Sequence, residues 1–149
     1  MAVQTTYADR MDAGRPGAIV NTEPQTLISR TVETADGIAF GAPAAQGSAD
    51  KGIIATEAGV TAILGVVVRE RSTNPETGGD KFAEKDSARL MTKGVIWVTA
   101  GEAVAAGDAA YVTVADGTFK KTATGNVAIP NARFDTSGAS GALVQLRLA

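Results

Sequence analysis

The chain has 149 residues and a formal net charge of −2, from 14 basic and 16 acidic residues, and it contains neither histidine nor cysteine. One domain is the default at this length. The missing residue types exclude disulfides, Ser-His-Asp or cysteine catalysis and the usual zinc sites, and the acidic balance argues against a nucleic-acid surface.

The first 18 residues predict an extended N-terminal arm. They are polar, contain glycine and proline, and sustain no hydrophobic period. We therefore divide the chain into an arm, residues 1–18, and a single β-rich domain, residues 19–149. A disordered tail is the alternative, but the arm also holds aromatic, methionine and arginine side chains, which anchor interfaces. The candidate partner-contact residues are Tyr7, Arg10, Met11 and Arg15.

Apolar residues alternate with polar ones between turn residues along most of the domain, which predicts short antiparallel strands. In chain order the predicted strands are Thr26–Val32, Ile38–Phe40, Ala62–Val68, Ser87–Thr92, Val95–Thr99, Ala109–Val114, Thr118–Thr122, Ala128–Phe134 and Ala142–Leu148. So many short strands favour an all-β fold, a small antiparallel β-barrel or sandwich with an extended N-terminal arm.

Some local features are less regular. The small, polar segment Gly41–Gly52 predicts a loop, and Lys93-Gly94 predicts a turn between two strands. Ala83–Leu90 is compatible with one or two helical turns, although a loop followed by a strand is preferred. The run Ala62–Val68 is continuous rather than alternating, which is typical of a strand covered on both faces. The pair Asp116-Gly117 predicts a tight hairpin turn.

The side chains that could carry chemistry are few and scattered. Acidic residues occur singly, without a calcium-loop pattern, and Asp108 and Asp116 sit in Gly-Asp and Asp-Gly pairs that turn chemistry explains. No glycine pattern for phosphate binding is present, and Ala62–Val68 is too short to cross a bilayer. Trp97 is expected in the core or at an interface. We therefore predict no catalytic residue, metal, cofactor, nucleic-acid or membrane partner, and no enzyme activity.

Three segments carry a resemblance to a known family: Gly59–Glu70, Gly94–Val114 and Asn131–Leu148. With them, the chain resembles the structural cement, or head decoration, proteins of tailed bacteriophages. The resemblance implies a small β-barrel that binds the major capsid protein on the outer surface of an icosahedral head. It also implies a homotrimer seated where coat capsomers meet, with a terminal arm reaching a neighbour. Synthesis in the host cytoplasm and a final location on the virion follow from that role.

Two alternatives stay open at this point. Another virion β-module, such as a tail-tube, tail-spike-tip or head–tail joining subunit, would form rings or stacked hexamers rather than trimers. An enzyme or small-ligand binder, for example a carbohydrate module built on Trp97 and Tyr111, would need those two aromatic residues to bind a sugar together.

Overall fold

A computed structural model describes residues 14–70 and 80–149, and these residues form eleven β-strands and no helix. The all-β prediction is thus confirmed. In the described part of the chain, no helical segment is available to cross a membrane. The strands are β1 (Thr26–Val32), β2 (Ile38–Ala39), β3 (Pro43–Gln46), β4 (Gly52–Ala55), β5 (Gly65–Val67), β6 (Lys81–Phe82), β7 (Ser87–Thr99), β8 (Ala109–Thr113), β9 (Thr118–Lys120), β10 (Val127–Phe134) and β11 (Leu143–Leu148).

Five strands close into a barrel. They are hydrogen-bonded in the order β1-β4-β3-β5-β7, and β7 pairs back to β1. The pairs are antiparallel except for β1 and β4, which run parallel with Thr31 opposite Gly52 and Val32 opposite Ile53. The predicted barrel is therefore confirmed, with one parallel pair as its departure from a fully antiparallel arrangement.

The remaining strands of the main sheet extend from β7 in the order β11-β10-β8-β9. Strand β9 returns to the chain just after β7, where Ala100 and Phe119 form a parallel bridge. There the Gly101 N–H donates to the Phe119 carbonyl at 2.8 Å. Strand β7 is thus common to the closed barrel and to this second, curled group of strands, while β2 and β6 form a separate two-stranded sheet.

Two hydrophobic cores lie on either side of β5 and β7. The first core, inside the barrel, includes Val67 and Leu90, whereas the second core includes their chain neighbours Val66 and Met91. Adjacent residues of a strand point to opposite faces, so β5 and β7 contribute to both cores at once. The prediction that the Ala62–Val68 region is covered on both faces is confirmed at β5, where all three residues are buried.

The predicted turn at Lys93-Gly94 is wrong, because β7 runs without interruption over 13 residues. Its register against β1 shifts at this point: Thr26 faces Lys93, but Leu27 faces Met91. The extra residue is a β-bulge, and Gly94 supplies a φ of 126° beside it. A glycine at positive φ suits a turn or a bulge equally, so the local sequence did not distinguish them.

The bulge also changes which core the even-numbered residues of β7 reach. Before it, Ala88 and Leu90 lie in the first core, and beyond it Ile96 and Val98 lie in the second. One inserted residue thereby lets a single strand belong to two cores in succession.

The predicted loop over Gly41–Gly52 is also wrong, because it contains β3 and the first residue of β4. Ala44 and Ala45 of β3 are buried. Their small side chains give no strong hydrophobic pattern, yet they fit where neighbouring strands leave little room. The helical alternative over Ala83–Leu90 is wrong as well, since a turn leads there into β7.

Substitution of Gly94 by alanine tests the bulge. A Cβ at Gly94 would lie 2.9 Å from the Gln25 Cβ and 3.0 Å from the Met91 Sδ, in addition to the strain at positive φ. We expect Gly94→Ala to lower the free energy of unfolding by about 3 kcal/mol in urea titrations. Gly125→Ala is the matched control, since Gly125 also has positive φ but no neighbour within 4 Å, and it should cost about 1 kcal/mol. Equal costs would contradict this account.

Candidate functional site

Residues 14–20, which we call the arm root, lie along the C-terminal half of β7. The Gly17 N–H donates to the Trp97 carbonyl at 2.8 Å, and the Trp97 N–H donates to the Ala18 carbonyl at 2.9 Å. Further along, the Val20 N–H donates to the Val95 carbonyl at 3.1 Å. Gly17 and Ala18 of the predicted arm are therefore bonded to the body, while residues 1–13 lie outside the described residues.

Two glycines let the backbone of the arm root pass very close to the backbone of the barrel. Gly17 and Gly41 have φ values of 82° and 75°, and a Cβ on Gly17 would lie 2.7 Å from the Gly41 nitrogen. The Gly17 carbonyl accepts a hydrogen bond from the Arg69 N–H at 2.7 Å, and the Gly41 N–H donates to the Val67 carbonyl at 2.8 Å. Only residues without a side chain allow two backbones to approach so closely.

The Arg69 side chain also binds the arm root at this close approach. Its Nε donates to the Pro16 carbonyl at 3.0 Å, and its Nη1 contacts Asp80 Oδ1 at 2.6 Å. The guanidinium lies 4.9 Å from the centre of the Phe40 ring, a cation–π distance. The pKa of Asp80 lies below its ordinary value. The largest cause is the hydrogen bond from Arg69, and the second is the positive charge of Arg69. Sequence reasoning missed this role, because an arginine after a strand carries no sign of a partner 53 residues earlier.

Trp97 lies where the described chain begins. Its indole is partly buried, and a Cβ on Gly14 would lie 2.7 Å from the Trp97 Nε1, so the backbone at Gly14 runs against the ring. Trp97 on β7 and Tyr111 on β8 are separated by β11 and β10 in the sheet. These two aromatic residues therefore do not stand on neighbouring strands, as a shared sugar-binding platform would require.

The four predicted contact residues can be placed only in part. Arg15 is exposed at the start of the arm root, and its charge makes a minor contribution to the lowered pKa of Asp80. Tyr7, Arg10 and Met11 lie outside the described residues, so their role as contacts stays a prediction.

An ion cluster holds the chain that follows the arm root. Arg147 on β11 contacts the Glu23 carboxylate through Nη1 at 2.6 Å and the Asp135 carboxylate through Nε and Nη2, each at 2.7 Å. Arg133 Nε lies 3.5 Å from the second oxygen of Asp135. The hydrogen bond from Arg147 lowers the pKa of Glu23, and bonds to Glu23 and then Asp135 raise the pKa of Arg147. The cluster thus joins the N-terminal segment to the last strand.

Other carboxylates in the described chain hold backbone in place. Glu33 accepts hydrogen bonds from the N–H groups of Ser48 and Ala49, and Glu102 does so from Lys121 and Thr122. These backbone bonds are the largest cause of the lowered pKa of both Glu33 and Glu102.

The two acids near strand ends have turn roles, which confirms the turn interpretation. Asp116 accepts bonds from the N–H and hydroxyl of Thr118, at 3.1 and 2.7 Å, and Asp108 accepts one from the Ala105 N–H at 2.9 Å. Within residues 14–70 and 80–149, no three acidic side chains gather into a group that could hold a metal ion.

A barrel whose glycines, arginines and carboxylates serve mainly to fix the chain has the character of a structural protein. The comparison of families agrees: the model described as "Structural cement protein (E217 gp24/Pam3 gp6)" matches residues 3–149. The chain belongs to this family of phage structural cement proteins, a class of capsid-associated virion proteins and not a class of enzymes. The family resemblance in the sequence is thus confirmed.

A solved structure shows the same fold. A chain in "The capsid of Myoviridae Phage XM1" superposes with a TM-score of 0.77 at 19% identity, covering 99% of this chain and 98% of that one. A chain in "The crystal structure of head fiber gp8.5 N base in bacteriophage phi29" gives a TM-score of 0.47 at 15% identity, covering 85% of this chain and 95% of that one. No curated protein matches the sequence.

The ion cluster makes stability depend on pH. Because the folded-state pKa of Glu23 is below its ordinary value of 4.5, its interaction with Arg147 stabilises the fold above about pH 4.5. This contribution is lost as the pH falls through the lowered pKa. We expect Glu23→Gln to unfold at lower urea concentration than the wild type at pH 7, with the difference shrinking as the pH falls below about 4.5 and through the lowered pKa of Glu23. Glu57→Gln, in an exposed loop, is the control. A difference that stays constant with pH would contradict the assignment.

Proposed function

We propose that this protein binds the outer surface of an icosahedral phage head as a trimer and stabilises the assembled shell. Its partner is the major capsid protein. The observation that carries the proposal is the family match over residues 3–149, which spans both the β-body and most of the segment before the arm root. The anchored arm root supports it, since a segment that leaves from a fixed point can reach a neighbouring subunit.

The physical basis is linkage between binding and assembly. A protein that binds the assembled shell better than free coat subunits shifts the equilibrium towards the shell. Three equivalent sites on a trimer allow each contact to be weak while the whole attachment is tight. No chemical step is needed, because affinity between protein surfaces performs the function. The protein is made in the host cytoplasm and ends on the virion.

The arm supplies the second part of the proposal. Residues 1–13 precede the fixed arm root, and a fully extended segment of that length would span about 45 Å. Ordering on the shell costs conformational entropy, which the side chains at the contact must offset. Tyr7, Arg10 and Met11, together with Arg15, are the residues we assign to this contact, because aromatic, arginine and methionine side chains dominate interface energetics.

Two truncations test the arm separately from the body. Deletion of residues 1–13 leaves the arm root in place, so we expect an unchanged unfolding midpoint but weaker cosedimentation with undecorated shells. Deletion of residues 1–18 also removes the bonds to Trp97 and Arg69 and should lower the midpoint as well. Replacing Tyr7, Arg10 and Met11 together by alanine should reproduce the first result, whereas alanine at Thr5 and Thr6 should not. Undiminished shell binding after the 1–13 deletion would sink the arm contact.

The oligomeric state tests the trimer. We expect sedimentation equilibrium to give a trimer mass, or image reconstruction of decorated shells to show three copies around each site. Rings of six or stacked rings, in solution or on particles, would instead favour a tail or head–tail joining role.

A further inference from the structure

Strand β1 is paired with β4 over only a short part of its length. β4 begins opposite Thr31, where the Thr31 N–H donates to the Lys51 carbonyl at 2.9 Å. The next residue, Val32, donates in the other direction, to the Asp86 carbonyl at 3.0 Å on the β7 side. Backbone groups alternate in direction along a strand, so Leu27 and Ser29 face the same side as Thr31.

Beside Leu27 and Ser29, the described residues offer no strand. The recorded partners of this part of β1 all belong to β7, and no loop hydrogen bond reaches the N–H groups of these two residues within residues 14–70 and 80–149. Thr26–Arg30, which we call the β1 edge, therefore presents open backbone groups. The side chains of Leu27 and Ile28 are partly buried against the second and the first core respectively, so the strand itself is held in place beside the open side.

Within residues 14–70 and 80–149, the charge of Arg30 at this edge has no carboxylate partner. Its Nη1 donates to the Ser29 carbonyl at 2.9 Å, while its Nε is buried and has no hydrogen-bond partner. Among the described ion pairs, none includes Arg30, although four other arginines each contact a carboxylate: Arg69, Arg89, Arg133 and Arg147. A buried donor on a charged group that lacks a partner is costly, and a carboxylate from outside would satisfy it.

We propose that the β1 edge takes up an extended, acidic segment of the coat protein as an additional strand, with a carboxylate of that segment bound to Arg30. Backbone pairing at Leu27 and Ser29 would supply affinity, as in other cases of strand addition. The Arg30 guanidinium would turn away from the Ser29 carbonyl, free it for the added strand and present Nε and Nη2 as a two-pronged donor. This inference rests on the proposed function.

The charge pattern favours a partner over a second copy of this chain. None of the eleven described strands contains an aspartate or glutamate, so the body of another copy has no acidic strand to add. In the free protein the Arg30 side chain protects the edge, which is how natural proteins prevent unwanted strand pairing.

The test uses full-length protein and undecorated shells of the coat protein, with affinity measured by cosedimentation. We expect Arg30→Gln to weaken binding tenfold to a hundredfold, of the order expected for a hydrogen-bonded charge, and Arg30→Lys to fall between that variant and the wild type. Ser29→Pro removes the N–H that faces the open side but none of the N–H groups that face β7, so it should weaken shell binding while the pairing to β7 persists. Arg133→Gln, an arginine on β10, is the matched control and should bind as the wild type. Urea midpoints establish that each variant is folded.

Hydrogen exchange supplies a readout that needs no substitution. We expect the Leu27 and Ser29 amides to exchange rapidly in the free protein and slowly on shells. If the wild type binds shells but the Arg30 and Ser29 variants bind equally well and these amides stay unprotected, this inference is wrong and the proposed function stands. If the wild type does not bind shells, both fail. Protection of the two amides in the free protein, increasing with its concentration, would show that a second copy closes the edge and would overturn the proposal.

Discussion

The whole body depends on one strand, β7, that supplies buried side chains to both hydrophobic cores. The β-bulge at Gly94 shifts the alternation of side chains along β7 by one residue. The same strand can therefore turn its even-numbered residues to one core before the bulge and to the other core after it. The closed barrel uses the first half of β7, and the group β11-β10-β8-β9 extends from the second half. Each core contains two phenylalanines among its valines, isoleucines, leucines and alanines.

The arm root depends on the same strand. Its hydrogen bonds run to the backbone of Val95 and Trp97, and its carbonyl groups are held by the backbone and side chain of Arg69. Backbone bonds do not require particular side chains, whereas the approach at Gly17 and Gly41 requires their absence. The chain at residues 16–20 is consequently held to the body by backbone hydrogen bonds and by the Arg69 side chain.

The sequence predicted the elements whose signal is local. Thr26–Val32 was predicted with the same bounds as β1, and the hairpin at Asp116-Gly117 followed from turn chemistry alone. The prediction from sequence failed at β3, where alanines give no hydrophobic pattern. It also failed at Gly94, where a glycine at positive φ is compatible with either a turn or a β-bulge. Of the candidate site, only Arg15 could be placed in the structure. The arm root and the state of Arg30 could not be predicted, because both arise from pairing between segments distant in sequence, and such pairing is set by barrel closure.

The arm root and the β1 edge are held by the same strand, and this arrangement affects how two weak contacts could act together. The arm root pairs with β7, and the β1 edge belongs to a strand that pairs with the other half of β7. If both engage the shell, docking of one holds the other at a fixed distance from its partner, and the second contact forms at high effective concentration. A flexible connection between them would lose most of this gain. The double use of β7 therefore places the arm root and the β1 edge on one strand, because both segments are hydrogen-bonded to it.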